Sequence, residues 1–432
     1  MTGGIVWNDS MEWDFQMKTI HYLFIILIFA FTTVNAHAQD ITFHGFVQGN
    51  LSARITGEET SDSSEGGDYL SGEERFRGEI TGTTETAAFT LKADLVHDSI
   101  SDEDRIDIRE GYIDYMSDNY DLRAGRQIIT WGAGDLLFIN DTYPKNYSAL
   151  FSGQPLEYLK VGSDAVKFSV YSDMISADLV VIPFFEPYQL PDSKRFFPDN
   201  PRNIDIKTKT PREEIENSEI ALRVYRQLGR FDTSIYLYRG FFKIPGMRHL
   251  SQTEAELIYP QLAVYGFSMQ GAFAYGVLSI EGGYYDSLDD RNGDDIAISN
   301  SSAKYILGYS KQLWTDFTAG VQYYGEYMQD YGKYENSHPS LPPGFPKSDK
   351  LHKLITLRLT QMLKYNTLRL SLFSFYSPDD EDYFIIPEAR YNITDSLWMS
   401  AGINIFGGKE SETFFGQLDR NDNVFATVIY VF

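Results

Sequence analysis

The sequence contains no cysteine. Disulfide bonds, thiolate zinc sites, haem attachment through Cys-x-x-Cys-His and lipoprotein anchoring are therefore excluded. Basic residues are also scarce, since 37 Lys and Arg stand against 61 Asp and Glu, for a formal net charge of -24. Nucleic acid calls for clustered Lys and Arg, which an acidic chain does not supply. We expect no cofactor and no nucleic-acid partner.

Long apolar segments are rare, and the clearest is residues 22–31. Lys18 precedes this run and Ala36-His37-Ala38 follows it, which is the order of a secretory signal peptide. The run is shorter than the ~20 apolar residues that a membrane-spanning helix requires. We therefore predict a signal peptide that is cleaved after Ala38.

The segment before this signal has the wrong charge for its amino-terminal region. Asp9, Glu12 and Asp14 are acidic where a signal peptide is basic. We predict that translation starts at Met17. The chain then has three parts: a mis-assigned extension at residues 1–16, the signal peptide at 17–38 and one folded domain at 39–432.

Beyond Gln39 the apolar residues recur with a period of two, which is typical of strands. Phe76 and Ile80, for example, alternate with Arg75 and Arg77. Each segment therefore has one apolar and one polar face, and each is near or above the ~9 to 11 residues of a tilted membrane-crossing strand. The predicted strands are residues 41–54, 72–83, 86–97, 105–116, 119–131, 164–172, 175–183, 217–227, 230–242, 260–272, 275–286, 301–312, 315–328, 350–363, 366–377, 380–392, 395–407 and 422–432.

The connections between these strands alternate in length. Nearly every odd-numbered strand is followed by a long polar stretch, and every even-numbered strand by a tight turn: Thr84-Glu85, Ser117-Asp118, Asp173-Met174, Leu228-Gly229, Phe273-Ala274, Leu313-Trp314, Lys364-Tyr365 and Ile393-Thr394. Outer-membrane barrels have short periplasmic turns and long external loops, and an even strand number leaves both termini in the periplasm. We predict an all-β, antiparallel up-and-down barrel of about 18 strands, or about 16, in a Gram-negative outer membrane.

The last predicted strand supports this location. Val424, Ala426, Val428, Tyr430 and Phe432 share one face, and the sequence ends on the aromatic ring of Phe432. This pattern resembles the signal by which outer-membrane proteins reach the barrel-assembly machinery. The 30 Tyr and 30 Phe fit the aromatic girdles that contact lipid at both membrane interfaces.

The polar faces of the strands supply the candidate pore residues. A charge on the lipid face costs roughly 2 to 4 kcal/mol at mid-membrane, so the alternation directs these side chains inward. They could set ion preference, or equally could pair across strands and stiffen the wall. Arg slightly outnumbers Glu, which favours at most a weak preference for anionic solutes. The candidates are Arg75, Arg77, Glu79, Arg123, Arg126, Gln127, Glu219, Arg223, Glu281, Glu326, Arg358, Arg369, Glu388 and Arg390.

One motif extends over the fourth and fifth predicted strands. It comprises Arg-Glu-Gly-Tyr-Ile-Asp at 109–114, Leu-Arg-Ala-Gly-Arg-Gln at 122–127 and Trp-Gly-Ala-Gly-Asp at 131–135. This resembles a bacterial porin-like family of largely undefined function with an L-R-E-x-Y hairpin followed by G-R-Q and W-G. It is also distantly similar to anion-type porins and polysaccharide-export barrels. Ile108 and Gly111 depart from the usual Leu and Ala, and the resemblance implies a barrel without a defined substrate.

Strict alternation would place Arg126 on the lipid face beside Leu122 and Ile128. We therefore expect a β-bulge near Gly125 that turns Arg126 inward.

Two loops exceed the length that hairpin closure needs. Residues 132–163 mix aromatic and polar side chains, and we expect this loop to fold inward as a constriction, with an external cap as the alternative. Residues 184–216 are rich in proline. The acidic segments 289–295 and 419–423 lack complete EF-hand spacing, so we interpret both as solvated loop tips.

The leading hypothesis is a porin that passes small hydrophilic solutes, with association into a homo-oligomer as an open alternative to a monomer. A barrel that sheathes a partner, such as a secreted polymer or a periplasmic electron carrier, is the alternative. A membrane-embedded hydrolase is a third hypothesis, but no nucleophile motif surrounds the histidines and we expect no enzyme. The histidines considered are His44, His97, His249, His338 and His352.

Overall fold

The computed structural model describes residues 40–55, 68–192, 195–197, 205–251, 254–341 and 347–432. The signal peptide, its cleavage site and the proposed start at Met17 lie outside these residues. The strands are β1 (Asp40–Arg54), β2 (Tyr69–Thr83), β3 (Ala87–Asp98), β4 (Glu103–Met116), β5 (Tyr120–Gln127), β6 (Ser163–Val170), β7 (Ser176–Ile182), β8 (Asp205–Lys209), β9 (Glu219–Leu228), β10 (Phe231–Phe241), β11 (Gly246–His249), β12 (Glu254–Ile258), β13 (Gln261–Phe273), β14 (Gly276–Ser287), β15 (Ser302–Trp314), β16 (Phe317–Met328), β17 (Leu351–Leu363), β18 (Leu368–Ser377), β19 (Asp382–Asn392), β20 (Leu397–Gly408) and β21 (Asn423–Val431).

The helices are short. They are α1 (Tyr147–Phe151), α2 (Tyr331–Ser337) and short 3₁₀ helices at Leu156–Leu159, Ile215–Asn217, His338–Ser340 and Gly416–Asn421. Within the described residues, no helix has the length and apolar character needed to cross a bilayer.

Eighteen of the strands form one antiparallel sheet that closes on itself. Each strand pairs with the next along the chain, except that β7 pairs with β9 and β10 with β13. The ring closes at β1, where Gln48 lies opposite Arg75 of β2 on one side and Ile429 of β21 on the other. Closure removes the unpaired edges that an open sheet would expose. The predicted 18-stranded barrel is confirmed.

The wall has its polar face inside and its apolar face outside. On β1 the side chains of Val47 and Leu51 are 48% and 51% exposed, whereas Gln48 and Asn50 are 1% and 4% exposed. A water-soluble protein buries the apolar residues and exposes the polar ones. The reverse arrangement suits a wall that faces lipid outside and water or polar groups inside.

The three remaining strands form a separate sheet among the long loops. β11 pairs antiparallel with β12, and β12 pairs in parallel with β8. The sequence predicted no strand in these loops, because β8 is a five-residue segment that pairs with a strand distant in the chain. Short strands whose partners are distant carry little periodic pattern of their own.

β5 is shorter than predicted, because it ends at Gln127 and not at Trp131. The ring of Trp131 is buried and packs edge-on against Tyr143 at a centroid distance of 5.3 Å. It also contacts Tyr236 of β10 at 5.8 Å. The chain therefore leaves the wall after Gln127 and turns into the interior.

The bulge expected near Gly125 is absent. β5 pairs in continuous register, with Gly125 opposite Tyr112 of β4 and Ala165 of β6. The irregularity lies in β4, where Arg109 is skipped in the pairing with β3. Gly125 adopts a φ of +125°, and a Cβ there would collide with the carbonyl oxygen of Gly111. A glycine is therefore required, but for close strand contact and not for a bulge.

Candidate functional site

Residues 132–163, which form most of the connection between β5 and β6, lie against the interior face of the wall. We call this segment the inner loop. Its Ile139, Tyr143 and Leu159 are almost completely buried, and they share one apolar cluster with wall residues that include Tyr285 and Phe384. A loop lying across the outside of the barrel mouth could not bury its side chains against these strands.

The first anchor of the inner loop is Glu281, which is 1% exposed on β14. One carboxylate oxygen accepts hydrogen bonds from the backbone N–H groups of Ala133 at 2.6 Å and Gly134 at 2.9 Å. The other accepts from the backbone N–H of Asn140 at 2.8 Å and from its side-chain amide at 3.0 Å. A buried carboxylate is costly unless it is hydrogen bonded, and these four donors satisfy it.

The second anchor lies at Asp135. Its carboxylate pairs with Arg358 of β17, with 2.8 Å between Nη2 and Oδ1. Its backbone N–H donates to Gln322 of β16 at 2.7 Å, and the Gln322 amide donates to the Asp135 carbonyl oxygen at 2.8 Å. β17 lies nine places from β5 in the ring of eighteen strands, so the inner loop reaches the opposite wall.

A third anchor holds the middle of the loop. The side-chain amides of Asn404 on β20 and Asn423 on β21 both donate to the Phe151 carbonyl oxygen, at 2.8 and 3.0 Å. The Phe151 ring packs edge-on against Phe384 and Phe406 at 5.3 and 5.5 Å. The two asparagine amides therefore donate hydrogen bonds to a backbone carbonyl that would otherwise be buried without a donor.

Three arginines of the wall hold the inner loop near its C-terminal end, where the chain rejoins the wall at β6 beside β5. The guanidinium groups of Arg75, Arg109 and Arg77 lie 4.2, 5.1 and 5.5 Å from the centre of the Tyr158 ring. Arg77 also pairs with Glu157 at 2.6 Å, and Arg109 donates to the Glu157 carbonyl oxygen at 2.9 Å. Cations over a desolvated aromatic ring contribute on the order of 2 kcal/mol.

Sequence reasoning did not identify Tyr158, Gln322, Asn404 or Asn423 as functional, because each acts on a segment distant in the chain. Arg109 was noticed as part of a motif but not as a residue that touches the inner loop. Its position in the Arg-Glu-Gly-Tyr segment was the available indication.

Most of the predicted wall charges are neutralised in pairs. Arg75 and Arg77 share the carboxylate of Asp94, each at 2.6 Å. Further ion pairs of the candidates are Glu79–Lys92 at 3.4 Å, Arg123–Asp114 at 2.7 Å, Glu219–Lys243 at 2.7 Å, Glu326–Lys304 at 3.2 Å and Arg369–Glu388 at 3.5 Å. The wall is thus cross-linked by charge, which was one of the two interpretations of the sequence.

Three candidates have other partners. Gln127 donates to the Ala165 carbonyl oxygen at 3.0 Å. Arg390 lies over the Trp398 ring at 3.8 Å. Arg223 donates from Nε to the hydroxyl of Ser234 at 3.2 Å.

Arg126 has polar partners although no bulge turns it. Its guanidinium pairs with Glu186 at 3.0 Å and Asp164 at 3.4 Å, and its Nε donates to the Ile108 carbonyl oxygen at 2.9 Å. Glu186 belongs to the loop after β7, and burial raises the pKa of its carboxyl although Arg126 opposes the rise. The conflict between alternation and charge is therefore resolved by ion pairing.

Two cavities lie inside the barrel near the end that carries the short turns. The larger, of about 660 Å³, is lined by Arg223, Tyr236, Gln270 and the β6–β7 turn at residues 173–174. The smaller, of about 320 Å³, is lined mainly by β14 to β17. Ala133 and Gln270 line both cavities, so the start of the inner loop separates them.

The two acidic segments differ from each other. The Asp290 carboxylate accepts the backbone N–H groups of Asp294 and Asp295 at 3.0 and 2.8 Å, which closes a turn on itself. The interpretation of 419–423 as a solvated tip is wrong, because Asn421 and Asn423 are fully buried. Over the described ranges, no cluster of three or more potential metal-binding side chains occurs.

One serine and one histidine contact the same aspartate, but the three groups are not arranged as in the catalytic triad of a hydrolase. The Ser377 hydroxyl donates to Asp380 at 3.2 Å, and His352 contacts the same carboxylate at 3.3 Å. A catalytic histidine must lie between the acid and the serine so that it accepts the hydroxyl proton. Here the acid lies in the middle, so this group gives no support to the hydrolase hypothesis.

The fold is similar to that of OccD3 (OpdP) from Pseudomonas aeruginosa, with a TM-score of 0.54 and 9% identity over 92% of each chain. It is also similar to OccAB3 from Acinetobacter baumannii, with a TM-score of 0.53 and 10% identity over 91% of this chain and 99% of that chain. No family model matches the sequence, and no curated protein matches it. The motif resemblance at residues 109–135 therefore stays a prediction. The two structural likenesses support the fold alone: this chain is a closed, 18-stranded antiparallel β-barrel.

Proposed function

We infer that the protein is an outer-membrane channel for small hydrophilic solutes, in which the inner loop narrows the passage. The observation that carries this proposal is the attachment of Asp135 to Arg358 on the wall opposite β5. A barrel of 18 strands is wide enough to enclose water, and a loop that crosses it determines how much of that width stays open.

The wall favours discrimination by size over discrimination by charge. Ion pairs such as Arg123–Asp114 neutralise most of the inward charges. Paired charges produce a weaker field in the passage than isolated ones. The channel therefore admits neutral and weakly charged solutes, with a modest preference among ions.

We place the short turns, and with them both termini, in the periplasm. The seam between β1 and β21 supports an assembly role for Tyr430 and Phe432, whose side chains are about half exposed on the outer face. Phe432 exchanges two backbone hydrogen bonds with Gly45, at 3.0 and 3.1 Å. A signal read by the barrel-assembly machinery has to be accessible before this seam closes. Whether copies associate in the membrane is tested by crosslinking in intact cells.

Planar-bilayer recording of the purified protein tests the channel. Stable, stepwise conductance in symmetric salt supports the proposal. A silent barrel that co-purifies with a polymer or a periplasmic protein would contradict it and favour the sleeve. Migration before and after heating on denaturing gels confirms that each preparation is folded.

A further inference from the structure

Arg223 differs from most of the inward arginines of the wall. Arg75, Arg77, Arg123 and Arg358 each contact a carboxylate, at 2.5 to 2.7 Å. Arg223 has no ion pair with any carboxylate in the described part of the chain, and its hydrogen bond is to a neutral hydroxyl. Its positive charge is therefore uncompensated by direct contact.

The guanidinium of Arg223 is nevertheless held in place. Its Nε donates to Ser234 at 3.2 Å, and its carbon lies 4.4 Å from the centre of the Tyr225 ring and 6.0 Å from that of Tyr236. Tyr236 is fixed in turn by a hydrogen bond of 2.8 Å to Ser268. One hydrogen bond and two rings thus hold the guanidinium, and neither Nη atom has a hydrogen bond to any residue that the structure describes.

These Nη atoms belong to a side chain that lines the larger cavity. The volume of this cavity, about 660 Å³, lies within the ~300–1,000 Å³ range of small-molecule sites. The lining also offers the hydroxyl groups of Ser176, Ser234 and Ser268 and the amide of Gln270. The surroundings are those of a hydrogen-bonding site with one fixed cation.

We propose that Arg223 forms a binding site for an oxyanion, a phosphate or a carboxylate, on the path of the solute. A planar guanidinium presents two parallel N–H donors that match two oxygens of such a group, and a spherical ion cannot use both donors equally well. The inference rests on the proposed channel for its biological meaning, although binding itself can be measured without transport.

The acidic residues around Arg223 limit the affinity of the site for an oxyanion. Asp178 lies opposite Arg223 in the register of β7 and β9, but its carboxylate accepts the hydroxyl of Ser169 at 2.6 Å and also interacts with Lys167. Asp173 and Asp232 lie at the turn end of the cavity together with Arg226. The bound group must therefore be small and must contact Arg223 directly.

Titration calorimetry of the detergent-solubilised barrel with inorganic phosphate, with acetate and with chloride provides the test. Saturable binding of phosphate, of acetate or of both, and none of chloride, is the expected result for the natural chain. Comparing the phosphate and acetate titrations shows whether the site prefers a phosphate or a carboxylate group. Arg223→Gln is expected to weaken binding at least tenfold, and Arg223→Lys, which keeps the charge but loses the planar donor pair, by a similar factor.

Arg226→Gln is the matched control, because it removes the same charge from the same strand beside the same cavity without changing the guanidinium of Arg223. Its affinity should stay within twofold of the natural chain. Absence of oxyanion binding, or equal losses in Arg223→Gln and Arg226→Gln, would overturn the proposal. The bilayer recording separates the two inferences, since oxyanion binding to a silent barrel would retain the site and reject the channel.

Discussion

The buried carboxylate of Glu281 accepts the backbone N–H of Ala133 at 2.6 Å, and this bond ties β14 to the beginning of the inner loop. The preceding residue, Gly132, adopts a φ of +85°, and a Cβ there would lie 2.7 Å from the same carboxylate. Loop and wall are therefore fitted to each other in backbone conformation as well as in hydrogen bonding. The position of the loop depends on interactions of this kind more than on its own secondary structure.

Replacing Glu281 with Gln should release the start of the inner loop. The new amide group would direct N–H atoms at backbone N–H donors, and leaving such donors unsatisfied costs about 1–3 kcal/mol each. We expect a larger or noisier single-channel conductance with the barrel still folded. Glu388→Gln is the control, because its contact with Arg369 is long, at 3.5 Å, and does not involve the inner loop. Unchanged conductance in Glu281→Gln would argue against its anchoring role.

Replacing Phe151 with Ala should loosen the middle of the inner loop. Its ring is almost completely buried and packs edge-on against Phe384 and Phe406, and truncating a buried phenylalanine typically costs about 3–5 kcal/mol. Limited proteolysis should cut the inner loop of the variant faster than that of the natural chain. The matching truncation of Phe168, whose ring faces outward on β6, should leave the rate of loop cleavage unchanged. Equal rates in both variants would show that Phe151 is not an anchor.

Replacing Asp94 with Asn should destabilise the wall more than replacing Asp114 with Asn. The Asp94 carboxylate is fully buried and serves both Arg75 and Arg77, so its removal leaves two cations without their shared partner. Breaking a buried ion pair costs about 3–5 kcal/mol, whereas the pair of Asp114 with Arg123 is more exposed. The measurement is the urea concentration at which half the barrel unfolds. A smaller loss for Asp94→Asn than for Asp114→Asn would refute this ranking.

Glu186 should make stability depend on pH. Burial raises the pKa of its carboxyl above the ordinary value of 4.5. Between the unfolded pKa and the folded pKa, the folded state therefore binds more protons than the unfolded state. Its contribution to stability is therefore present at low pH and is lost as pH rises through the folded pKa. Melting temperatures measured from pH 4.5 upward should fall less steeply in Glu186→Gln than in the natural chain. Parallel curves would remove Glu186 as the cause.

The sequence alone was sufficient for the barrel. The eighteen strands were predicted from the repeated short turns and from alternation such as that of Arg75, Phe76 and Arg77. Within each membrane-crossing strand, apolar residues that face lipid alternate with polar residues that face the interior, so the pattern is visible in the strand's own sequence. The boundaries of these eighteen strands were predicted to within three residues, except where β5 ends at Gln127. There the pattern continues although Trp131 has left the wall, since an extended segment packed in the interior alternates in the same way.

The tertiary structure alone decided which polar residues have a partner. Arg77 and Arg223 both occupy inward positions of strands, and the local pattern cannot distinguish them. Arg77 meets Asp94 on the next strand and Glu157 on the inner loop, whereas Arg223 meets a serine and two tyrosine rings. The strand pattern reports only which face a side chain is on. Which group it touches depends on register and on the path of a loop across the barrel, and both are set by contacts between segments far apart in the chain.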